Sequence, residues 1–582
     1  MINILHIIHS LGLGGAYRTL VGVSKYSSMT GDYKHTVTSL KPINPANAHF
    51  AELEGIEVLR WNNRNELNEI MAKADIVQFH FWNTPENYEF LKSELPDMRF
   101  ALWLHIAGDK WPQIVIPELV DFSDYIICGS PYTYKRPVFM NLPPEERLYK
   151  VGMAYDGTDF ERFKGFKKKP HDNFNVGFIG TPNFVKMHTE FVPMSAAVNI
   201  PDVKFIVCGM IQKEIFQQAE EMNATHRFDF RGYESDVQSV LEILDVFGYP
   251  LNEHNYACGE LVLQEAMYVG IPPVVFPHSG PGDLVINDYT GIVVHSELEY
   301  SNAIEYLYHH PEERDRLGKN AMEYARQIFG AENAAMSVNP MYDHIMTMPK
   351  RKRTWPVESV SLKKPLGMNA FFPVKDKNPE TVGARLFIES LGPEGLIFID
   401  SINAADDVPE YVFESEEQIM RIPRVMSSSD TGGVVQYEAI YLNDPYLRLW
   451  AGLMWFGNKR YDIAVSEFQS AININLNHWR VYYYLALSYE KLSDIENARI
   501  ALAKALESAP DCPRLLEVKK RLFGEIEDVQ KILKESMKDI PKELYQKKEE
   551  GFNVKCPTCQ DILYVLSKGR WQCPKCKNDF VV

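Results

Sequence analysis

The chain has 582 residues, 45% of them apolar and 24% charged, with a formal net charge of −17. One hydrophobic core does not serve that length; at about 150 residues per domain it predicts roughly four domains. The acidic balance argues against a nucleic-acid binder, which needs a basic surface to displace phosphate counterions, and against broad attachment to anionic lipid.

No run reaches the roughly 18 apolar residues of a membrane-spanning helix. The first residues, Met-Ile-Asn-Ile-Leu-His, read as a buried strand and not as a leader. Cys128, Cys208, Cys258 and Cys512 are scattered, and four more cysteines form two pairs near the C-terminus. That is no disulfide framework. These features predict a soluble cytoplasmic protein without a transmembrane segment.

Residues 1–170 alternate short apolar runs with longer mixed segments. Strands are expected at Ile2–Ile8, His35–Leu40, Ile56–Leu59, Asp75–Phe81, Phe100–Ile106 and Tyr125–Cys128. Residues 171–348 start the same grammar again after a lysine-rich linker at Phe166–Asn173. Strands are expected there at Asn175–Ile179, Lys204–Cys208, Arg227–Phe230, Val246–Tyr249, Pro273–Phe276 and Gly291–Val294, with a closing helix at Ala331–Met346. Strand–helix alternation predicts parallel sheets covered on both faces. Two successive units of that kind imply a cleft between them.

Residues 349–444 open with a basic run, Pro-Lys-Arg-Lys-Arg-Thr at 349–354, which reads as a solvated linker. The rest is a small region without assigned function, with strand-like pieces at Gly395–Ile399 and Val434–Ile440.

Residues 445–540 hold an internal repeat. Gly452, Trp455, Ala464, Phe468 and Ala471 recur as Ala486, Tyr489, Ala498, Leu502 and Ala505, each 34 positions on. Small residues where helices cross and aromatics between them resemble the tetratricopeptide repeat. Two copies bury little surface alone, so docking is expected on Asp511–Glu535 or on the region before the repeats.

Residues 551–582 carry Cys556-Pro-Thr-Cys559 and Cys573-Pro-Lys-Cys576. Each pair lets one turn present two thiolates, and two turns complete a tetrahedral site for a structural zinc ion. Four protein ligands leave no position for a substrate, so the ribbon is read as stabilising or protein-contacting.

Chemistry is expected in the two α/β units. The first strand runs into Gly12-Leu-Gly14-Gly15-Ala-Tyr-Arg18, where glycines let backbone approach a ligand at a helix N-terminus. It lacks the spacing of a dinucleotide fingerprint. The second unit carries Cys258-Gly-Glu-Leu-Val-Leu-Gln-Glu265-Ala-Met-Tyr-Val-Gly270, a turn, a helix and a glycine before a buried strand. Asp75–His80, Leu104-His105, Asp156-Gly-Thr-Asp159, Gly180 with Lys186, Gly280-Pro-Gly-Asp283 and Thr290-Gly291 complete an ordered set.

In that order and number the segments resemble the family-4 retaining glycosyltransferases. The resemblance covers about the first 345 residues. It implies two Rossmann-like domains of the GT-B fold, acceptor side first and nucleotide-sugar donor side second. They are followed by the small mixed region, the α-helical repeats and the zinc ribbon. It implies transfer of a sugar from a nucleotide-diphosphate donor to an acceptor hydroxyl with retention, with no catalytic metal. Glu265 would bind the nucleotide ribose, Lys186 the donor diphosphate, Gly14 and Gly15 the diphosphate from the other side, and His105 would lie by the donor sugar. The family's phosphate-loop arginine falls at Thr181 and its first glutamate at Ala257. Glu253, His254 or Glu260 would then supply a substitute group. His80 and Cys258 are read as packing residues.

The acceptor is expected to be a saccharide, a lipid-linked glycan or a protein, with the helical repeats recruiting it or a protein partner. Thr181 and Ala257 also motivate an alternative, a catalytically silent scaffold that binds a nucleotide sugar or glycan.

Overall fold

The computed structural model describes residues 1–12, 14–355, 381–402, 408, 410–422 and 432–524, and the backbone of 552–555, 562–565, 570–572 and 579–581. The first α/β unit is built on a 7-stranded sheet. Its members are β1 (Ile2–Ile8), β2 (Tyr33–Ser39), β3 (Glu57–Val58), β4 (Ile76–Phe81), β5 (Phe100–Leu104), β8 (Tyr125–Cys128) and β9 (Val151–Met153). A small antiparallel hairpin, β6 (Asp109–Lys110) and β7 (Gln113–Ile114), lies outside it. The sheet order is β3-β2-β1-β4-β5-β8-β9, with every pair parallel. Apolar runs such as Phe100–Leu104, buried at every position, suit a sheet covered on both faces.

The second unit holds β10 (Phe174–Ile179), β11 (Val203–Cys208), β12 (Phe228–Gly232), β13 (Val246–Tyr249), β14 (Pro273–Val275) and β15 (Ile292–Val293). Their order is β12-β11-β10-β13-β14-β15, again all parallel. Both orders reverse direction at the first strand, so a crevice opens at the C-terminal strand ends. Two such sheets facing one another form a GT-B-like fold.

The helix Ala331–Met346 has the expected bounds. It crosses back and packs on the first unit, where Ala334, Ala335, Val338 and Tyr342 join Ile4, Ile76, Trp103 and Ile127 in one cluster. Gly22 of the helix Gly15–Ser28 permits that crossing, since a Cβ there would lie 2.9 Å from the Ala331 Cβ.

The basic run at 350–353 is not a solvated linker. Lys350 Nζ donates to the Ala74 carbonyl at 2.6 Å, and Arg351 Nε to Asp124 Oδ1 at 2.6 Å. Arg353 is buried, pairs with Asp124, and donates to the carbonyls of Met98 and Phe122. The physical reason is Asp124: a nearly buried carboxylate at a strand end attracts two guanidinium groups that charge counting alone assigns to water.

Gly395–Ile399 and Val434–Ile440 are not strands. Helices span Leu396–Ile402 and Val434–Ile440, flanked by helices Val382–Leu391 and Glu410–Met420. Short apolar runs read alike as buried strand or buried helix. This helical layer docks on the first unit: Asn83 Nδ2 donates to Ser390 Oγ at 3.1 Å, and the Tyr437 hydroxyl donates to Asn83 Oδ1 at 3.0 Å.

The following helices are Pro445–Gly457, Tyr461–Asn473, Trp479–Lys491, Ile495–Ser508 and Pro513–Phe523. A Cβ at Gly452 would meet the Phe468 ring at 2.5 Å, so the first two cross where the sequence places a residue without a side chain. They dock on the preceding helical layer through a buried pair, Arg480 Nε to Glu416 Oε1 at 2.8 Å. Cys556, Cys559, Cys573 and Cys576 lie outside the described residues.

Candidate active site between the two units

Two helix N-termini face one cleft. The helix Gly15–Ser28 leaves β1 through Gly14, which offers no side-chain cap. The helix Leu261–Tyr268 follows Glu260, again without a side-chain cap bond. Each start carries partial positive charge on N–H groups that its cap residue does not satisfy, which favours an anion. Gly14, Gly15, Glu260 and Leu261 line a cavity of about 480 Å³, together with His105, Lys186 and Glu265. Thus all six donor-side and catalytic candidates outside the ribbon meet at one place, although up to 251 positions separate them in the chain.

Packing does not demand glycine at the first of these positions. A Cβ at Gly14 would meet nothing within 4 Å, and one at Gly15 only Leu261 at 3.7 Å. The space that side chains would enter there is the cleft. Gly280 is different: a Cβ would lie 1.8 Å from the Cys258 carbonyl oxygen, so its role is close backbone packing behind the site.

Lys186 Nζ lies 2.8 Å from Glu260 Oε1, and the Tyr249 hydroxyl donates to Glu260 Oε2 at 2.7 Å. The Lys186 backbone N–H is held by Asn183 Oδ1 at 3.0 Å. Of the three groups weighed as substitutes at the Ala257 position, only Glu260 reaches Lys186 among the described residues. Glu253 and His254 are exposed and pair with each other at 3.2 Å. Thr181 and Ala257 both border the cleft.

Glu265 is buried, accepts from Thr158 Oγ1 at 3.1 Å, and pairs with Arg162. Burial pushes its carboxyl above the ordinary range, and Arg162 pulls the other way. Arg18, Arg162 and Asp156 border the same cavity; Arg18 and Asp156 stand in segments quoted from the sequence, but none of the three was given a role there. The signal for Arg18 was its place one turn into the glycine-led helix. Arg162 lies three residues past the Asp156-Gly-Thr-Asp159 segment, but only tertiary contact turns it toward Glu265.

His105 lines the cleft with both ring nitrogens engaged. Nδ1 lies 2.8 Å from Asp156 Oδ1, and Nε2 lies 2.8 Å from His80 Nδ1. Trp103 Nε1 donates to the same Asp156 oxygen at 3.1 Å. Burial pushes the Asp156 carboxyl up, and His105 opposes it. Cys258 is buried, and burial raises its thiol well above the ordinary value, which leaves it protonated and packed.

Residues 159–324 match the family model of the glycosyl transferases group 1. The chain is 24% identical over 287 residues to the D-rhamnosyltransferase WbpZ of Pseudomonas aeruginosa, covering 46% of this chain and 72% of that protein. It is 23% identical over 382 residues to YtcC of Bacillus subtilis, covering 58% of this chain and 90% of that one. Among solved structures, Anabaena Alr3699/HepE in complex with UDP aligns with a TM-score of 0.49 and 18% identity, over 59% of this chain and 100% of that one. Among the described residues no helix is long and apolar enough to cross a membrane. The likeness to the glycosyl transferases group 1 is thus shown for residues 159–324, the segment that holds the second sheet.

Proposed function

We propose that the chain is a cytoplasmic, retaining glycosyltransferase of hexosyltransferase type that takes its sugar from a nucleotide diphosphate. The observation that carries this reading is the convergence of two uncapped helix starts and Lys186 on one cleft. A departing diphosphate needs fixed positive charge where its own negative charge grows, and preorganised N–H groups with a lysine supply that without a metal. Glu265 takes the ribose hydroxyls, and Glu260, held by Lys186 and Tyr249, takes the place of the carboxylate missing at Ala257. His105 lies beside the donor sugar and acts through Asp156. Lys186 exchanges its bond to Glu260 for one to the diphosphate when the donor enters.

A second cavity of about 500 Å³ adjoins the first through Gly14, Gly15, Trp82 and Tyr256. Its other walls include Lys41, Glu86 and Gln436. Flat aromatic faces beside hydrogen-bonding groups suit a saccharide acceptor. Gln436 belongs to the helical layer, so the C-terminal helices shape this cavity, and the tetratricopeptide-like pairs behind them are where a protein partner docks. The four ribbon cysteines hold a structural zinc ion.

The test is nucleotide release from a panel of UDP-, GDP- and ADP-sugars without acceptor, for wild type, Lys186→Ala and Glu265→Ala. Release from one donor, lost in both variants, is expected. Saturable binding that Glu265→Ala abolishes, with no release even when glycan acceptors are added, would mark a silent nucleotide-sugar scaffold instead. Neither binding nor release would remove the cleft assignment.

A further inference from the structure

Four buried histidines form one hydrogen-bonded row across the first sheet. They stand on neighbouring strands: His35 on β2, His6 on β1, His80 on β4 and His105 just past β5. Register makes the row a diagonal. Ile4 pairs with His35, Ile8 with His80, and His80 with Trp103, so each step to the next strand climbs two residues toward the cleft. Alternate residues share a face, which puts all four rings on the side covered by the helices Gly15–Ser28 and Ala331–Met346.

The links are continuous. Asp156 Oδ1 meets His105 Nδ1 at 2.8 Å, His105 Nε2 meets His80 Nδ1 at 2.8 Å, and His80 Nε2 meets His6 Nδ1 at 3.0 Å. His6 Nε2 then meets His35 Nδ1 at 2.8 Å, and His35 Nε2 meets Ser27 Oγ at 2.9 Å. The Ser27 hydroxyl donates to Asn339 Oδ1 at 2.6 Å. Ser27 is buried and Asn339 half-buried, on the crossover helix.

That last bond sets the polarity of the rest. If Ser27 gives its only proton to Asn339, His35 must donate to Ser27 from Nε2, and its Nδ1 must accept from His6 Nε2. The same logic passes to His80 and His105, making His35, His6 and His80 neutral Nε2–H tautomers; Ser24 Oγ, 3.3 Å from His6 Nε2, shares that N–H, and the Gln78 amide nitrogen, 3.5 Å from His80 Nε2, is too far to compete with the 3.0 Å link to His6. His105 then donates from Nε2 as well, and its Nδ1 faces Asp156, an acceptor. Six links need six protons, whereas four neutral imidazoles and one hydroxyl bring five. The sixth lies between His105 and Asp156. Trp103 donates to the same Asp156 oxygen, and an oxygen that accepts two N–H bonds is best matched by a carboxylate, which puts the proton on the ring.

We propose that this row stores one proton, holding His105 as an imidazolium against Asp156 on the cleft wall. His6, His35, His80, Ser27 and Asn339 are positioning residues. Their effect is to neutralise Asp156, which would otherwise present an uncompensated carboxylate near the diphosphate. That consequence rests on the transferase reading; the protonation pattern does not. Burial, the largest cause in each case, keeps His6, His35 and His80 neutral by lowering their pKa values, which accords with a single charged ring at the Asp156 end. The Asn339 carboxamide sets the count: were it turned to present N–H to Ser27, four Nδ1–H rings and the Ser27 hydroxyl would fill the links with five protons.

The experiment is histidine-selective ¹⁵N NMR of the full chain at neutral pH, without donor. Couplings across the N–H···N bonds assign the rings in order. Expected are three Nε2–H tautomers and one doubly protonated ring, adjacent to Asp156. Asn339→Leu, remote from the cleft, removes the final acceptor; His105 should become neutral and the other rings should switch to Nδ1–H. Wild-type spectra with four neutral rings, or with Nδ1–H tautomers, would overturn the proposal. So would a spectrum unchanged by Asn339→Leu. Nucleotide diphosphate affinity measured on the same two proteins should fall several-fold in the variant. If the tautomers switch while no nucleotide binds either protein, the transferase reading fails and the row stands.

Discussion

Lys186 and Glu260 form an ion pair at 2.8 Å across the mouth of the cleft, with Lys186 about one-fifth exposed. The pair aims the lysine into the cleft before any donor arrives. On the proposed function, removing the cation takes away charge where a diphosphate would leave. Lys186→Ala is expected to slow acceptor-independent nucleotide release about 100-fold, the order found for loss of one preorganised donor at a developing anion. Rates at saturating donor check this; an unchanged rate would place the diphosphate away from Lys186.

Gly14 separates ligand approach from folding. Its φ of −75° suits any residue, and a Cβ there meets nothing within 4 Å. Gly14→Leu is expected to keep the melting temperature within a few degrees, because exchanging a glycine N-cap for an apolar residue costs only about 1 kcal/mol. Nucleotide binding should vanish in the same protein, because the side chain enters the cleft. Calorimetric titration and a thermal melt decide it; an intact affinity would mean that ligand does not approach this loop.

The histidine row makes the fold acid-sensitive. His6, His35 and His80 are held neutral by burial, with His35 lowered from 6.5 to about 3. Below about pH 6.5 the unfolded chain binds protons that these rings refuse, so stability falls as pH drops from 6.5 toward 3. Each ring contributes about 1.4 kcal/mol per pH unit, and the three together about 4 kcal/mol by pH 5.5. Melts at pH 7.5, 6.5 and 5.5 should show the loss, and His35→Gln should reduce its slope by about a third. A flat profile would contradict the buried neutral rings.

Arg480 and Glu416 join the repeat helices to the layer beneath them. Both side chains are about fully buried, and Glu416 also accepts from the Tyr484 and Ser401 hydroxyls, each at 2.8 Å. Arg480→Met leaves a buried carboxylate unpaired and is expected to cost about 3–5 kcal/mol. Adding Glu416→Leu should recover much of that loss, because an apolar replacement of the whole pair removes the stranded charge. Denaturant melts of the single and double variants test this. Equal stability of the single variant and wild type would mean that the repeats are not anchored here.

Much of the architecture was legible in the chain itself. The spans Ile2–Ile8, Tyr125–Cys128 and Val246–Tyr249 were read to the residue, because parallel strands buried on both faces are continuous apolar runs between polar turns. Part of the convergence on the cleft was legible too: Gly14, Gly15, His105 and Glu260 each sit at a strand end or a helix start, which the alternation of elements sends to one edge of a sheet, whereas Lys186 lies in a turn beyond β10 and Glu265 inside its helix. Helix against strand at Gly395–Ile399 was not legible, since a short apolar run has the same composition in either form.

What the tertiary structure alone decided are the partnerships. That Ala331–Met346 returns to the first unit, that Arg353 is buried on Asp124, and that Arg162 meets Glu265 all depend on surfaces brought together from distant segments. The histidines show the division most clearly. Their identities and their alternation along each strand are written in the sequence. Their union into one row follows from strand register, which is set by the packing of the whole sheet and leaves no mark within any single strand.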